Sequence, residues 1–446
     1  MFTCPYAFYG IEPIYQLGGV KKNRQGVIYT MPSLRVGVIS YDWYPYEVRA
    51  LRMAEAAADA GYAVDVICLR NKGEKSHEVL NGVHIYRLPM SRGLGGSLPL
   101  RIVQWCWFML LAGGMVAWHH LRRPYDVVHV HNMPDFLVFA ALIPKLLGAK
   151  VILDVQDVSP ELMGAKAKGS LRRLVVRLAI FQEKYSCAFA HHVVTTGSVF
   201  EEALIKRGLS REKVTSIHNS ADPRLFPAEQ RCVAPYEASQ GKEPFTFMYH
   251  GTLEERNGLD TAIRAIVLAH HVVPHVRLDI QGRGSHVPFL KQLVIDLDAQ
   301  EYVAFRDASA PDKLADFVVH GDAGIIPYRC DGFAELVLPT KAYEFAWMQR
   351  PMIGSDTLAL RSMFRPGAIM LCDPASPESF AEAIIDLYEH PEKRAHMVKC
   401  AFEDYQPYRW EVMARQYQVL LVELCGKQVK EQSVREQHVE EESSLL

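Results

Sequence analysis

The chain has 446 residues, 49% hydrophobic and 22% charged, with a formal net charge of −2. That length exceeds what one core usually supports, so two domains are expected. The charge balance gives no global electrostatic reason to bind nucleic acid, and the composition is that of an ordinary globular protein.

Residues 1–33 read as a turn-rich leader that need not be structured, without the basic start, apolar stretch and small-residue cleavage site of a signal peptide. Met31 lies close enough to the first strong strand to serve as an initiator. Apolar strand candidates follow at 35–40, 63–69, 126–130, 150–155, 192–196 and 214–218, with helical stretches at 48–60, 100–121, 134–147, 171–190 and 199–207. Near-continuous apolar strands separated by helices indicate a parallel sheet covered on both faces. One helix stands out. Residues 102–118 are almost wholly apolar between Arg101 and Arg122–Arg123, close to the lower limit of about 17 residues for a membrane span. Spanning would cut the domain in two, so a buried or membrane-apposed helix is expected. Trp105, Trp107, Phe108 and Trp118 suit a core or an interfacial position.

Residues 221–244 carry four prolines and little periodicity, which marks a linker between a 34–220 domain and a second one at 245–404. The pattern restarts there with strands at 245–250, 276–280, 302–305, 323–327, 352–355 and 369–372. Helices at 260–270, 286–297, 312–319, 340–349 and 378–389 fall between them, and an amphipathic stretch at 405–424 precedes a charged tail, 425–446, that reads as disordered. Two doubly wound domains in series put ligands at the strand C-termini. The nine cysteines contain no C-x-x-C pair, so neither zinc nor redox chemistry is indicated.

The richest motif is Leu338-Pro339-Thr340-Lys341-Ala342-Tyr343-Glu344-Phe345, just after the apolar strand at 323–327. Pro339 and Thr340 look like a helix start, with Thr340 as the capping residue. Lys341 and Glu344, three apart, share one helix face. A cation and a carboxylate beside a helix N-terminus suit a ligand that carries both phosphate and sugar hydroxyls. His250-Gly251-Thr252-Leu253 follows a strand in the same sheet, and Gly251 permits close approach of a phosphate. Arg256 offers a planar donor fork. Two cations and a helix end can stabilise a departing pyrophosphate without a metal, while Glu344 accepts from vicinal ribose hydroxyls. Gly282-Arg283-Gly284 is a fragment of a phosphate loop, and Asp296-x-Asp298 is a solvated helix end rather than a metal pair.

In order and spacing these motifs resemble the retaining glycosyltransferases of family 4, also called glycosyltransferase group 1, over nearly the whole chain from about residue 34 to 424. Further matching motifs are His129-x-His131-Asn132 with Pro134-Asp135, Asp154-x-Gln156-Asp157-x-x-Pro160-Glu161, Asn219-x-x-Asp222 and Tyr408-Arg409-Trp410. The resemblance implies the GT-B fold: two Rossmann-like α/β domains facing a cleft, with the C-terminal helix crossing back to the N-terminal domain. It also implies a metal-independent transferase with no cofactor beyond its nucleotide-sugar co-substrate. Arg256 and Lys341 would hold the donor diphosphate and Glu344 the ribose, with Gly251, Thr252 and Gly282 beside them. His131 would face the transferred sugar, and Asn132, Asp157 and Glu161 would lie toward the acceptor. Partners implied are a nucleotide-sugar and a saccharide or lipid-linked saccharide, at the cytoplasmic face of a membrane touched through 102–118.

Three departures stand against the family pattern. The glutamate expected with seven residues between it and Glu344 is replaced by Leu336, with Glu335 beside it, so backbone N–H groups of Leu336 and Val337 are expected to serve instead. Gln156 stands where the family's loop has histidine. Tyr41-Asp42-Trp43-Tyr44-Pro45 follows the first strand where many members have paired glycines. A nucleotide-sugar epimerase of similar fold and a catalytically impaired membrane scaffold remain the alternatives.

Overall fold

The computed structural model describes residues 15–17, 20–22, 28–30, 33–90, 98–166, 172–230, 244–307, 313–330, 332–427 and 430–432. Its backbone divides into two compact units, one of residues 1–155, 185–193 and 414–446, the other of 156–184 and 194–413.

The first sheet has the strand order Val214–Ser216, His192–Thr195, Lys150–Val155, Val127–His131, Arg35–Trp43, Ala63–Leu69, Val83–Leu88 and His77–Leu80. Its central pairings are parallel, with Val36 opposite both Val64 and Val127. Val127–His131 is buried at every position, as expected of a strand covered on both faces. The edge pair is antiparallel, with Leu80 opposite Val83. Asn81 and Gly82 make that turn with φ of 49° and 79°, the left-handed pair that a two-residue hairpin demands.

The Val48–Asp59 helix turns Ala50, Met53, Ala54 and Ala57 into this unit's core and is capped by Glu47, whose carboxylate accepts from Arg49 N and Ala50 N. The stretch expected as one helix over 134–147 begins as a 3₁₀ segment, Asp135–Ala141, and ends as a short α-helix, Leu142–Leu146. The final helix, Trp410–Leu424, returns to this unit. There Tyr417, Leu421 and Val422 are buried, and Gln418 Nε2 donates to Ala56 O at 2.7 Å. Within the leader, Tyr15–Leu17, Val20–Lys22 and Ile28–Thr30 pair antiparallel, and Lys430–Gln432 of the tail adds a fourth strand. The rest of residues 1–32 and 433–446 lie outside the described residues, as does most of the expected linker.

The second unit carries a six-stranded parallel sheet, ordered Val303–Arg306, Val276–Arg283, Phe245–Thr252, Ala323–Ile326, Met352–Ser355 and Met370–Cys372. Order reverses beside Phe245–Thr252, which pairs with Val276–Arg283 on one side and Ala323–Ile326 on the other. That is the switch point at which doubly wound sheets take ligands. The Leu259–Val272 and Pro377–Glu389 helices cover one face through Leu259, Ile263, Ile266, Phe380 and Ile384. The Thr340–Trp347 helix packs Ala342, Tyr343, Phe345 and Ala346 in a second cluster.

Candidate active site

The end of the Phe245–Thr252 strand organises the residues expected to hold a donor. Tyr249 is fully buried and its Oη donates to Thr252 O at 2.8 Å, while Gly251 and Thr252 emerge into the exposed surface. Gly282 lies opposite Gly251 in register, and a Cβ there would sit 1.9 Å from Gly251 O, so the two backbones approach only because that residue is glycine.

Lys341, in the first turn of the Thr340–Trp347 helix, is 5% exposed. Its Nζ donates to Tyr328 Oη at 3.1 Å and lies 4.5 Å and 4.8 Å from the ring centres of Tyr249 and Tyr328. The same ammonium stands 3.8 Å from where a Cβ on Gly251 would be. Burial works against the charge, but the phenol groups of Tyr249 and Tyr328, then Glu344, outweigh it and hold the pKa above the usual lysine value. Thr340 does not cap: it is the first helical residue, Pro339 holds the cap position, and no side chain bonds the first turn. The reason is local. Proline before Thr340 is already extended, with φ −65° and ψ 133°, which places it just outside the helix.

Glu344, one turn on, has a carboxylate oxygen 3.3 Å from His250 Nε2. Burial, then the Lys341 charge, pushes the His250 pKa down to about 3, so the imidazole is neutral at pH 7. His250 thus belongs to the site, although residue-type reasoning passed over it; the available signal was its place directly before Gly251.

Arg256 sits on the Glu255–Asn257 3₁₀ turn, pinned by a reciprocal capping box between Glu254 and Asn257. Gly258 closes the turn at φ 66°, where a Cβ would lie 1.8 Å from Pro327 O. Arg256 O accepts from Arg329 N at 3.0 Å, and Arg329 pairs with Asp260 at 2.6 Å. The backbone is therefore fixed while the guanidinium, exposed and 5.8 Å from the Phe333 ring centre, stays available to a ligand. Leu336 differs from expectation. Its N–H donates to Phe333 O at 3.0 Å and so closes a turn rather than facing out; Val337 beside it is half-buried.

In the other unit, His131 ends its strand at 1% exposure with Nδ1 3.3 Å from Asp154 Oδ2. The same oxygen accepts from Arg49 Nε at 2.7 Å and lies 3.6 Å from His129 Nε2, while His129 Nδ1 meets Tyr417 Oη at 2.8 Å. Burial and then His129 push His131 down to about 3. Burial opposes the Asp154 charge, but Arg49, His129 and His131 together outweigh it and hold the carboxyl well below its usual range. His129, His131 and Asp154 bring ligand atoms within 4.8 Å of one another. Arg49 pairs with the shared oxygen, so these side chains form a buried charge network.

Asn132 is committed to scaffold: its N–H donates to Asp154 O at 2.9 Å and its amide to Asp135 Oδ1 at 2.7 Å. Glu161 pairs with Arg207 at 2.6 Å, a residue that also holds Glu183. Asp157 is half-buried in the turn before the Ser159–Lys166 helix. Gly251, Gly282, Lys341 and Glu344, the residues expected to hold the donor, are thus gathered at one strand end, with Arg256 on the next turn.

Two parallel-sheet α/β units of this kind make up the GT-B fold of glycosyltransferases, and the family matches agree. A Glycosyl transferase 4-like domain matches residues 46–220 and a Glycosyl transferases group 1 domain matches residues 244–390. The chain belongs to these glycosyltransferases. Its fold is similar to sucrose-phosphate synthase from Thermosynechococcus elongatus, with a TM-score of 0.68, 17% identity, and coverage of 88% of this chain and 99% of that one. HepE from Anabaena in complex with UDP-glucose is also similar, with a TM-score of 0.64, 15% identity and coverage of 87% and 99%. A short match joins it to the GtfA subunit of the UDP-N-acetylglucosamine–peptide N-acetylglucosaminyltransferase of Streptococcus pneumoniae: 26% identity over 70 residues, or 16% of this chain and 14% of that protein.

Proposed function

We propose that this glycosyltransferase moves a sugar from a nucleoside-diphosphate sugar to a hydroxyl acceptor, retaining anomeric configuration and requiring no metal. The observation that carries the reading is Lys341: a buried ammonium, held by two phenols, beside Gly251 at the switch point and on a helix start with no side-chain cap. Lys341 and Arg256 take the charge that grows on the leaving diphosphate, and Glu344 takes the ribose hydroxyls. The C1–O bond to the diphosphate breaks as the acceptor oxygen bonds to C1 on the same face, and its proton passes to the leaving phosphate oxygen. Leu336 fills the place of a donor-sugar carboxylate, which favours this front-face route over a covalent one. The acceptor is a lipid-linked saccharide or growing surface polysaccharide at the cytoplasmic membrane face, in keeping with the apolar 98–122 helix.

The test is release of UDP or GDP by purified protein from a panel of nucleotide-sugars, with and without a membrane lipid extract. Acceptor-dependent release supports the transferase. Interconversion of free nucleotide-sugars would indicate an epimerase, and failure of every nucleotide to stabilise the fold would leave a scaffold.

A further inference from the structure

The Leu98–Arg122 helix wears its apolar side outward. Its inner face is core: Phe108, Ala112 and Val116 are fully buried, and Phe108 meets Tyr41 edge-on at 5.0 Å. The opposite side exposes Leu100, Val103, Trp107 and Leu110, three or four residues apart, and then Trp118 and Leu121, all 49–70% exposed. A helix on a protein bathed by water on that side carries polar residues there. The apolar surface continues within the same unit. Trp105 meets Phe136, and the neighbouring Leu142, Ile143, Leu146 and Leu147 are all exposed. Phe139 then packs edge-on against Phe189 at 4.9 Å, the last residue of the Arg172–Phe189 helix.

The charges on these segments have a single sign. Between 98 and 123 and between 135 and 147 the one acid is Asp135, buried and accepting from the Asn132 amide. Arg101, Arg122 and Arg123 are exposed, in a chain whose net charge is −2. Arg122 lies over Trp118 at 3.6 Å and Lys145 over Phe189 at 4.2 Å, so cations are paired with interfacial aromatics.

We propose that these segments form a docking surface for an anionic lipid bilayer, the apolar stripes entering the headgroup boundary and the arginines meeting lipid phosphates. A uniformly cationic surface disfavours a second copy of this chain as occupant, because two such faces would repel. The proposal deepens the membrane-side part of the function above, adding the 135–147 segment and naming the lipid charge.

The test is flotation of the full chain with phosphatidylglycerol-containing vesicles against pure phosphatidylcholine vesicles, at low and high salt. Strong preference for the anionic vesicles is expected. Changing Arg101, Arg122 and Arg123 together to glutamine should weaken binding about a hundredfold. W107E with L110E should abolish it. These positions are exposed, so each variant should keep its thermal midpoint and its stabilisation by UDP or GDP. Equal binding to neutral vesicles, unchanged flotation of the glutamine variant, or a soluble dimer broken by W107E with L110E would overturn the proposal. A chain that floats as expected yet takes no nucleotide would fail the donor reading alone.

Discussion

At the scale of single residues, the proposed function separates binding from chemistry. Lys341→Ala and Arg256→Ala should each lower turnover by orders of magnitude, because they act on charge that develops in the transition state, whereas Glu344→Ala should chiefly weaken nucleotide affinity. Steady-state kinetics beside nucleotide titration separates the two effects, and near-normal activity in all three variants would displace the site. Buried titratable groups give the fold a pH signature. His131 and His250 sit near 3 when folded but near the ordinary 6.5 when unfolded, so the unfolded chain binds more protons between those values. Stability should therefore fall as pH drops below about 6.5, and a His250→Phe variant should show a shallower fall in chemical-denaturation midpoints. Glu47 opposes this: burial raises it from 4.5 to about 7, so its contribution is present below 4.5 and lost as pH rises toward 7. Glu47→Gln should be more stable than the parent at pH 8, with the advantage gone at pH 4; equal midpoints at both would remove Glu47 from the account.

At the scale of elements, apolar periodicity made both parallel sheets and the helix at Thr340 legible, since a doubly covered strand has little choice but Val, Ile and Leu. Turn chemistry was less well read. Leu80-Asn81-Gly82-Val83 is a hairpin signal, and the antiparallel edge pair it makes went unassigned among parallel strands. Motif spacing brought Lys341, Glu344, Gly251 and Arg256 toward one strand end because each lies a residue or a turn from it. It did not register that Leu336 spends its N–H on Phe333 O, or that Glu161 and Asn132 serve ion pairing and loop closure. Those partners are distant in sequence or hidden in backbone geometry. The Arg256 turn itself is sensitive: Gly258→Ala combines a left-handed φ with a contact on Pro327 O, and should destabilise by about 1–3 kcal/mol and release the Arg256 loop. Denaturant midpoints and limited proteolysis near Arg256 would check this; an unshifted midpoint would mean the turn relaxes freely.

At the scale of the whole molecule, the fold is shared with enzymes below 20% identity, so architecture is held by pattern rather than by particular side chains. The first unit is assembled from three separated stretches of chain, and its core includes Tyr417, Leu421 and Val422 from the third. Removing residues 410–446 should therefore lower the stability of that unit more than of the other, readable as selective loss of amide-exchange protection around His129; uniform protection would refute it. The same discontinuity has a consequence for biosynthesis. Residues 194–413, the bulk of the second unit, must leave the ribosome before the first can finish. At ordinary elongation speeds that interval is on the order of ten to forty seconds. Throughout it the strand bearing His129 waits with an uncovered flank, which makes the nascent first unit a client for chaperones and gives the second unit time to fold ahead of it.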